Sequence, residues 1–275
     1  MKIMVVANDV EHVKMLLDLK VDAIIVSSKY SSYRRAMDFD SIKESLTLDP
    51  NIYVSIYDLI SESDLDETLN YISKLLKLGV KNYVVNDFGI LEFLMKSDAN
   101  IIYDNITFNT NYESINCLES MKIKSFILSR EITVEEINEI CDNTNSEIIV
   151  HIQGMFPIFS SVRKLLENYC NAKTIPNHFK TAKLYQKDRR SKYPIIETPN
   201  GVIMFSSYEQ CGIEDINALN LNTFLIDQPF VNNDINVKII KMYLDYSNYK
   251  IKDVMNISKY NQSKGFFYKK TMYKL

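Results

Sequence analysis

Residues 2–28 read KIMVVANDVEHVKMLLDLKVDAIIVSS: a short apolar, β-branched run, an amphipathic stretch, then a second apolar run. Runs of this kind suit strands, and apolar residues at helical spacing between them suit a helix, so the opening is one βα unit and the start of the next. The same alternation continues along the chain. Further strands are predicted at IYVSIY (52), NYVVN (82), NIIYD (100), SFILS (125), EIIVHIQ (147) and TFLID (223), which with the first two makes eight. Helices are predicted between them at SIKESLTL, SDLDETLNYISKLLKLG, GILEFLMKS, NYESINCLESM, TVEEINEICDN and FSSVRKLLENY, with NDINVKIIKMYLDY after the last strand. Ser63 or Asp64 can cap the third helix and Gly79 can end it; Thr133 and Glu136 have capping-box spacing.

Eight such units in about 245 residues match an α/β fold of the TIM-like (β/α)8 barrel type better than an open sheet. Polar residues collect at the C-terminal ends of the predicted strands: Asn8, Asp9, Ser27, Ser28, Tyr57, Asp58, Asn86, Asp87, Asp104, Asn105, Arg130, Glu131, His151, Gln153, Asp227 and Gln228. In such barrels that rim carries the site, although every strand must also end in polar turn residues.

The chain divides as a barrel over 1–247, interrupted at 171–218 by a β-hairpin insertion before the last strand, and a short C-terminal extension over 248–275. The insertion contains SKYPIIETPNGVIMFSS, two β-rich runs around Pro199-Asn200-Gly201. Just before it, Lys180, Lys183, Lys187, Arg189, Arg190 and Lys192 are gathered with Phe179, Tyr185 and Tyr193. Cations reach phosphates and aromatic faces stack bases, so this is the local candidate for RNA binding; a solvated loop face is the alternative. The tail from Asn256 is basic and aromatic, either a docked piece or an arm.

Composition sets outer limits. The chain has 275 residues, 46% hydrophobic and 24% charged, with a net charge of −3, so a nucleic-acid contact has to come from a local patch. The N-terminal apolar run is too short for a signal peptide or a span, which predicts a cytoplasmic protein without a membrane partner. Cys117, Cys141, Cys170 and Cys211 form no C-x-x-C pair, and His12, His151 and His178 are dispersed, so spacing proposes no metal site.

Alternation places Glu147, Ile149, His151 and Gln153 on one side of the seventh strand. An unpaired buried polar group costs roughly 1–3 kcal/mol, so three of them on an inward face suggest a site, with a structural polar cluster as the alternative.

The segment EIIVHIQGMFPIFSSVRKLLENY (147–169) resembles the signature of the U32 peptidase family, the collagenase-like peptidases. Registered on Gly154, the family's glutamate matches Glu147, its Ser and Arg match Ser161 and Arg163, and its helix matches Leu165, Leu166, Asn168 and Tyr169. NDFGILEFL is similar to the family's Asp-Leu-Gly-Val segment through Asp87 and Gly89. ILSREITVEEI is similar to its Leu-Ala-Arg-Glu-Leu segment through Arg130 and Glu131, and KYPIIETPNG to its Tyr-Pro-Ile-Tyr-Glu hairpin. SKGFFYKKTMYK is similar to its C-terminal piece. In this register the family's histidine falls on Gln153, its second glutamate on Ile149, and two of its cysteines on Pro157 and Lys164.

The resemblance implies two activities. Members that hydroxylate RNA bases or quinone precursors hold an iron–sulfur cluster on four cysteines, of which only Cys211 has a counterpart here, so no cofactor is expected. The first reading is therefore a component of tRNA uridine hydroxylation, forming 5-hydroxyuridine, as the cluster-free member of a hetero-oligomer with a cluster-bearing paralogue. The mouth residues Arg130, Glu131, Glu147, His151 and Gln153 then hold a nucleotide or small anion, supported by Asp87, Ser161, Arg163 and Asp227. The second is a collagenase-like peptidase with Glu147 and His151 as acid and base. A non-catalytic barrel that only binds is the third.

Overall fold

The eight predicted strands are all present and close on one another. The computed structural model describes residues 1–31, 34–105, 108–176, 181–186 and 189–270, without the side chains of 186, 189 and 190. In chain order the first half runs β1 (Lys2–Val6), α1 (Val10–Leu19), β2 (Ala23–Ser27), α2 (Phe39–Leu48), β3 (Tyr53–Ile56), α3 (Leu65–Leu78), β4 (Asn82–Val85) and α4 (Phe88–Leu94). Then follow β5 (Asn100–Asp104), α5 (Tyr112–Ser120), β6 (Ser125–Ile127), α6 (Val134–Asp142) and β7 (Glu147–Gly154). After these come β8 (Pro157–Ser161), α7 (Leu165–Lys173), β9 (Thr181–Gln186), β10 (Arg189–Thr198), β11 (Gly201–Phe205) and β12 (Glu209–Cys211). The chain ends with β13 (Thr223–Ile226), α8 (Asn233–Leu244), α9 (Ile251–Ser258) and β14 (Gln262–Ser263).

Strands β1 to β7 pair in parallel with their sequence neighbours, and β13 lies between β7 and β1, closing an eight-stranded parallel barrel. Each strand is buried on both faces, which is why the sequence shows apolar runs rather than clean alternation. Ile3, Val5, Ile24, Val26, Ile148, Val150 and Phe224 face the helices in the larger core. Met4, Val6, Ile25, Val84, Ile102, Ile127, Ile149 and Leu225 fill the inside. Local signals hold where expected: Gly79 ends α3 at φ +99°, and Thr133 and Glu136 form the reciprocal capping box of α6.

The insertion is larger than a hairpin and begins earlier. β10 and β11 form the expected hairpin at 198–201, flanked by β9 and β8 in a four-stranded antiparallel sheet ordered β8-β11-β10-β9. The helix predicted from Phe159 starts at Leu165 instead, because 157–161 pair with Val202–Phe205. A lone hairpin is marginal in water, and the added strands give it an apolar underside. That underside, with Ile196, Ile203 and Phe205, packs on Tyr57, Met155, Phe230 and Tyr260 at the barrel's C-terminal rim. At the hairpin tip the Asn200 amide donates to Asp58 Oδ2 at 2.8 Å, so the sheet lies over the mouth as a lid. Gly201 is required there: at φ +130° a Cβ would stand 2.2 Å from the Ser161 carbonyl oxygen.

The C-terminal piece is docked as far as it is described. β14 extends the barrel sheet through β12, Phe267 is buried, and Lys264 and Tyr268 both reach Asp215, at 2.8 and 2.7 Å.

Candidate functional site

Two residues beyond the inner apolar layer, the same alternation brings Ser27, Ser55, Asp104, His151 and Asp227 into the barrel's upper interior. All are buried. Carboxylates there need cations, and two arginines supply them from the loops. Arg130, just past β6, makes a two-pronged contact with Asp104, Nη1 to Oδ1 at 2.6 Å and Nη2 to Oδ2 at 3.1 Å. Arg34, in the loop after β2, grips Asp227 Oδ2 through Nε at 2.9 Å and Nη2 at 2.8 Å, and donates from Nη1 to Ser55 Oγ at 2.9 Å. Its Nη2 is also 3.9 Å from Asp104, which joins the two pairs into one network, and its guanidinium lies 4.9 Å from the Tyr57 ring centre. Forked guanidinium contacts of this kind fix orientation as well as charge.

His151 stands beside this network with only 2% of its surface exposed and, among the described residues, no hydrogen-bond partner for either ring nitrogen. The Gln210 amide donates to its backbone oxygen at 3.0 Å. Burial first, then the positive charge of Arg130, pushes the imidazole pKa down to about 3, so the ring is neutral near pH 7. His12 is lowered as well, chiefly by burial, and its ring is fixed between the Asn8 N–H and the Asn236 side chain.

A stability test follows. Because the folded pKa lies below the unfolded one, the unfolded chain binds more protons between about pH 3 and 6.5, and stability falls as pH is lowered through that window. Urea midpoints at pH 7, 6 and 5 should fall, with a slope for this residue approaching about 1.4 kcal/mol per pH unit. His151→Gln should flatten the profile by its share and leave that of His12. A His151 ring resonance that titrates between pH 6 and 7 would contradict the burial argument.

The other predicted residues are dispersed. Glu147 is at the opposite end of the barrel, accepting from Ser125 Oγ and Thr223 Oγ1, each at 3.1 Å, with Lys2 3.9 Å away. At about 3.3 Å rise per residue it lies roughly 13 Å from His151 along β7, so the two cannot act as an acid–base pair; alternation gave the face correctly but not the depth. Gln153, by contrast, does not share that face. A register irregularity between Leu225 and Ile226 pairs His151 with Leu225 and Gln153 with Ile226, a residue of the outer core. The Gln153 amide nitrogen meets Glu209 and Gln262, each at 3.2 Å, and its oxygen accepts from Tyr243 at 3.0 Å.

Glu131 is exposed, next to the buried Arg130. Asp87 caps α4 through the backbone of Gly89 and Ile90. Ser161 and Arg163 belong to the lid, where the Ser161 hydroxyl accepts from the Arg163 N–H at 3.1 Å. Asp227 does join the mouth. Of the basic patch, Lys183 and Lys192 lie on β9 and β10, Arg189 and Arg190 take places on β10, and Lys180 and Lys187 lie outside the described residues. Arg34 and Ser55 gave no sequence signal for a site. Asp104 gave one only by its place at a strand end.

The cysteines are apart as well. Cys117, Cys141 and Cys170 sit on α5, α6 and α7, and Cys211 on β12, with its Sγ 3.6 Å from the Tyr243 hydroxyl. Burial pushes the Cys211 thiol up to about 11, so it is protonated at neutral pH. Among the described residues no group of three or more His, Cys, Asp or Glu side chains is arranged to hold a metal, and no helix is long and apolar enough to cross a membrane.

The sequence model of Peptidase family U32 matches residues 8–270, and the chain belongs to that family. A Bacillus subtilis (strain 168) protein named tRNA hydroxylation protein P2 is 26% identical over 249 residues, covering 81% of each chain. Among solved structures, a 3-hexulose-6-phosphate synthase is similar at 12% identity and a TM-score of 0.37, over 55% of this chain and 79% of that one.

Proposed function

We propose that this U32-family chain is a component of tRNA uridine hydroxylation in the cytoplasm, serving 5-hydroxyuridine formation as the cluster-free partner of a cluster-bearing paralogue. The likeness to the B. subtilis protein over most of both chains supports the pathway. The mouth supports the partner role, and it is the observation that carries the reading: its carboxylates and guanidiniums are bound to one another, and its histidine is held neutral.

The donor set does not fit a four-thiolate cluster. Pro157 and Lys164 stand where the resemblance puts two of its cysteines, and Cys211 is a protonated thiol in a hydrogen bond. Peptide hydrolysis finds no support at the mouth, since Glu147 and His151 lie roughly 13 Å apart along β7 and, among the described residues, no activated nucleophile stands between them.

Mass spectrometry of tRNA nucleosides from cells with and without the gene tests the reading. Deletion should remove a hydroxyuridine-derived nucleoside, and the restored gene should return it. An unchanged nucleoside profile would overturn the proposal.

A further inference from the structure

We propose that the groove between the lid's underside and the docked C-terminal segment binds single-stranded RNA, with phosphates held by Lys183, Lys192 and Lys259 and bases laid against Tyr208 and Tyr260. This rests on the RNA-modification reading and names where the RNA sits.

The groove measures about 620 Å³, within the range of sites that enclose a small ligand. Its walls come from parts distant in sequence: Lys183 and Lys192 from the lid, Tyr208 from the loop after β11, and Lys259 and Tyr260 from the end of α9. The β9–β10 register sets Tyr185 opposite Lys192, and Lys183 two residues along β9, so all three share one face, with the Lys192 ammonium 5.3 Å from the Tyr185 ring centre. Lys259 ends α9 in the left-handed region at φ +64°, a place usually given to Gly or Asn.

Charge and chemistry narrow the ligand. Among the described residues three lysines and no carboxylate line the groove, in a chain whose net charge is −3. Lysine alone would suit any anion. Two tyrosine rings, with Ser191, Ser207, Ser263 and Asn261 between the cations, add stacking faces and hydrogen-bonding groups that suit an unpaired base and its ribose. A duplex would hide those bases.

Fluorescence anisotropy of a labelled, uridine-rich single-stranded RNA of twelve nucleotides, with the full-length protein, tests this. Changing Lys183, Lys192 and Lys259 together to Glu should weaken binding at least tenfold. Changing all three to Gln should make the slope of log affinity against log salt shallower by about 2, as expected for three lost phosphate contacts at roughly 0.7 each. The triple Arg variant should retain binding, and Lys124→Glu, at the other end of the barrel, should leave it unchanged. Circular dichroism confirms that each variant is folded.

Equal binding by the wild type and the folded triple Glu variant would overturn the groove. So would displacement of the RNA by a glutamate-rich peptide but not by unlabelled RNA. The nucleoside profile separates the two claims: if deletion still abolishes the modification while the triple variant binds and modifies normally, the groove is wrong and the function stands.

Discussion

Asp104→Ala is expected to destabilise the fold by about 3–5 kcal/mol, the usual cost of removing one member of a buried ion pair. Asp104 is fully buried, accepts both prongs of Arg130, and lies within 3.9 Å of Arg34. Without it, the Arg130 guanidinium loses its forked carboxylate while Arg34 keeps Asp227. The charge costs more than the missing side-chain volume, and the two can be separated. A double variant, Asp104→Leu with Arg130→Met, removes both charges and should recover most of the loss, since apolar replacement of a buried pair is often near neutral. Urea denaturation reads both: with a slope of about 1–3 kcal/mol per molar, the single variant should lose a molar or more at the midpoint. A loss below about 1 kcal/mol would mean that water reaches the pair and that the mouth is open.

The second large effect is expected at Gly154, where β7 ends. Its φ is +125°, and a Cβ there would lie 1.8 Å from the Asp227 carbonyl oxygen and 2.7 Å from the carbon behind it. Both obstacles are backbone, one residue past the strand that closes the barrel. Gly154→Ala therefore adds a steric collision to an unfavourable dihedral, itself about 1–3 kcal/mol, and should cost at least about 3 kcal/mol in the same assay or leave the chain insoluble. Gly79→Ala is the control: φ is +99°, but nothing lies within 4 Å of the added atom, so only the dihedral cost should appear. Similar losses at both positions would mean that β7 and β13 separate easily near the rim.

The barrel was legible because each strand is covered inside and out, which writes itself into the sequence as runs such as AIIV and YVV. The lid was legible only in part. The 198–201 turn announced its hairpin, but Pro157–Ser161 becomes a strand through pairing some forty residues away, a contact that the local pattern of Phe159, Val162, Leu165 and Leu166 does not reveal. The site was less legible still. Arg130, His151 and Asp227 were recognised as candidates, while Arg34 meets Asp227 across most of the chain length and no spacing rule links them. Glu147 misled because strand alternation fixes a side, not a height, and Gln153 because one irregular step between β7 and β13 turns it to the outer layer.

The placement of β13 also sets an order of assembly. Among the described residues it is the strand that joins β1 on one side to β7 on the other, β12 reaching only Gln153 and Gly154 of β7, and it follows the entire lid in the chain. On a ribosome adding about 5–20 residues per second, the stretch between Gly154 and Thr223 takes on the order of several seconds to appear. Throughout that interval β1 lacks its outer mate and β7 can gain only β12 at Gln153 and Gly154, and unpaired parallel edges are templates for foreign strands. Nascent chains stalled within the lid should therefore be the species that chaperones hold and that aggregates recruit, whereas release of β13 seals both seams in a single event.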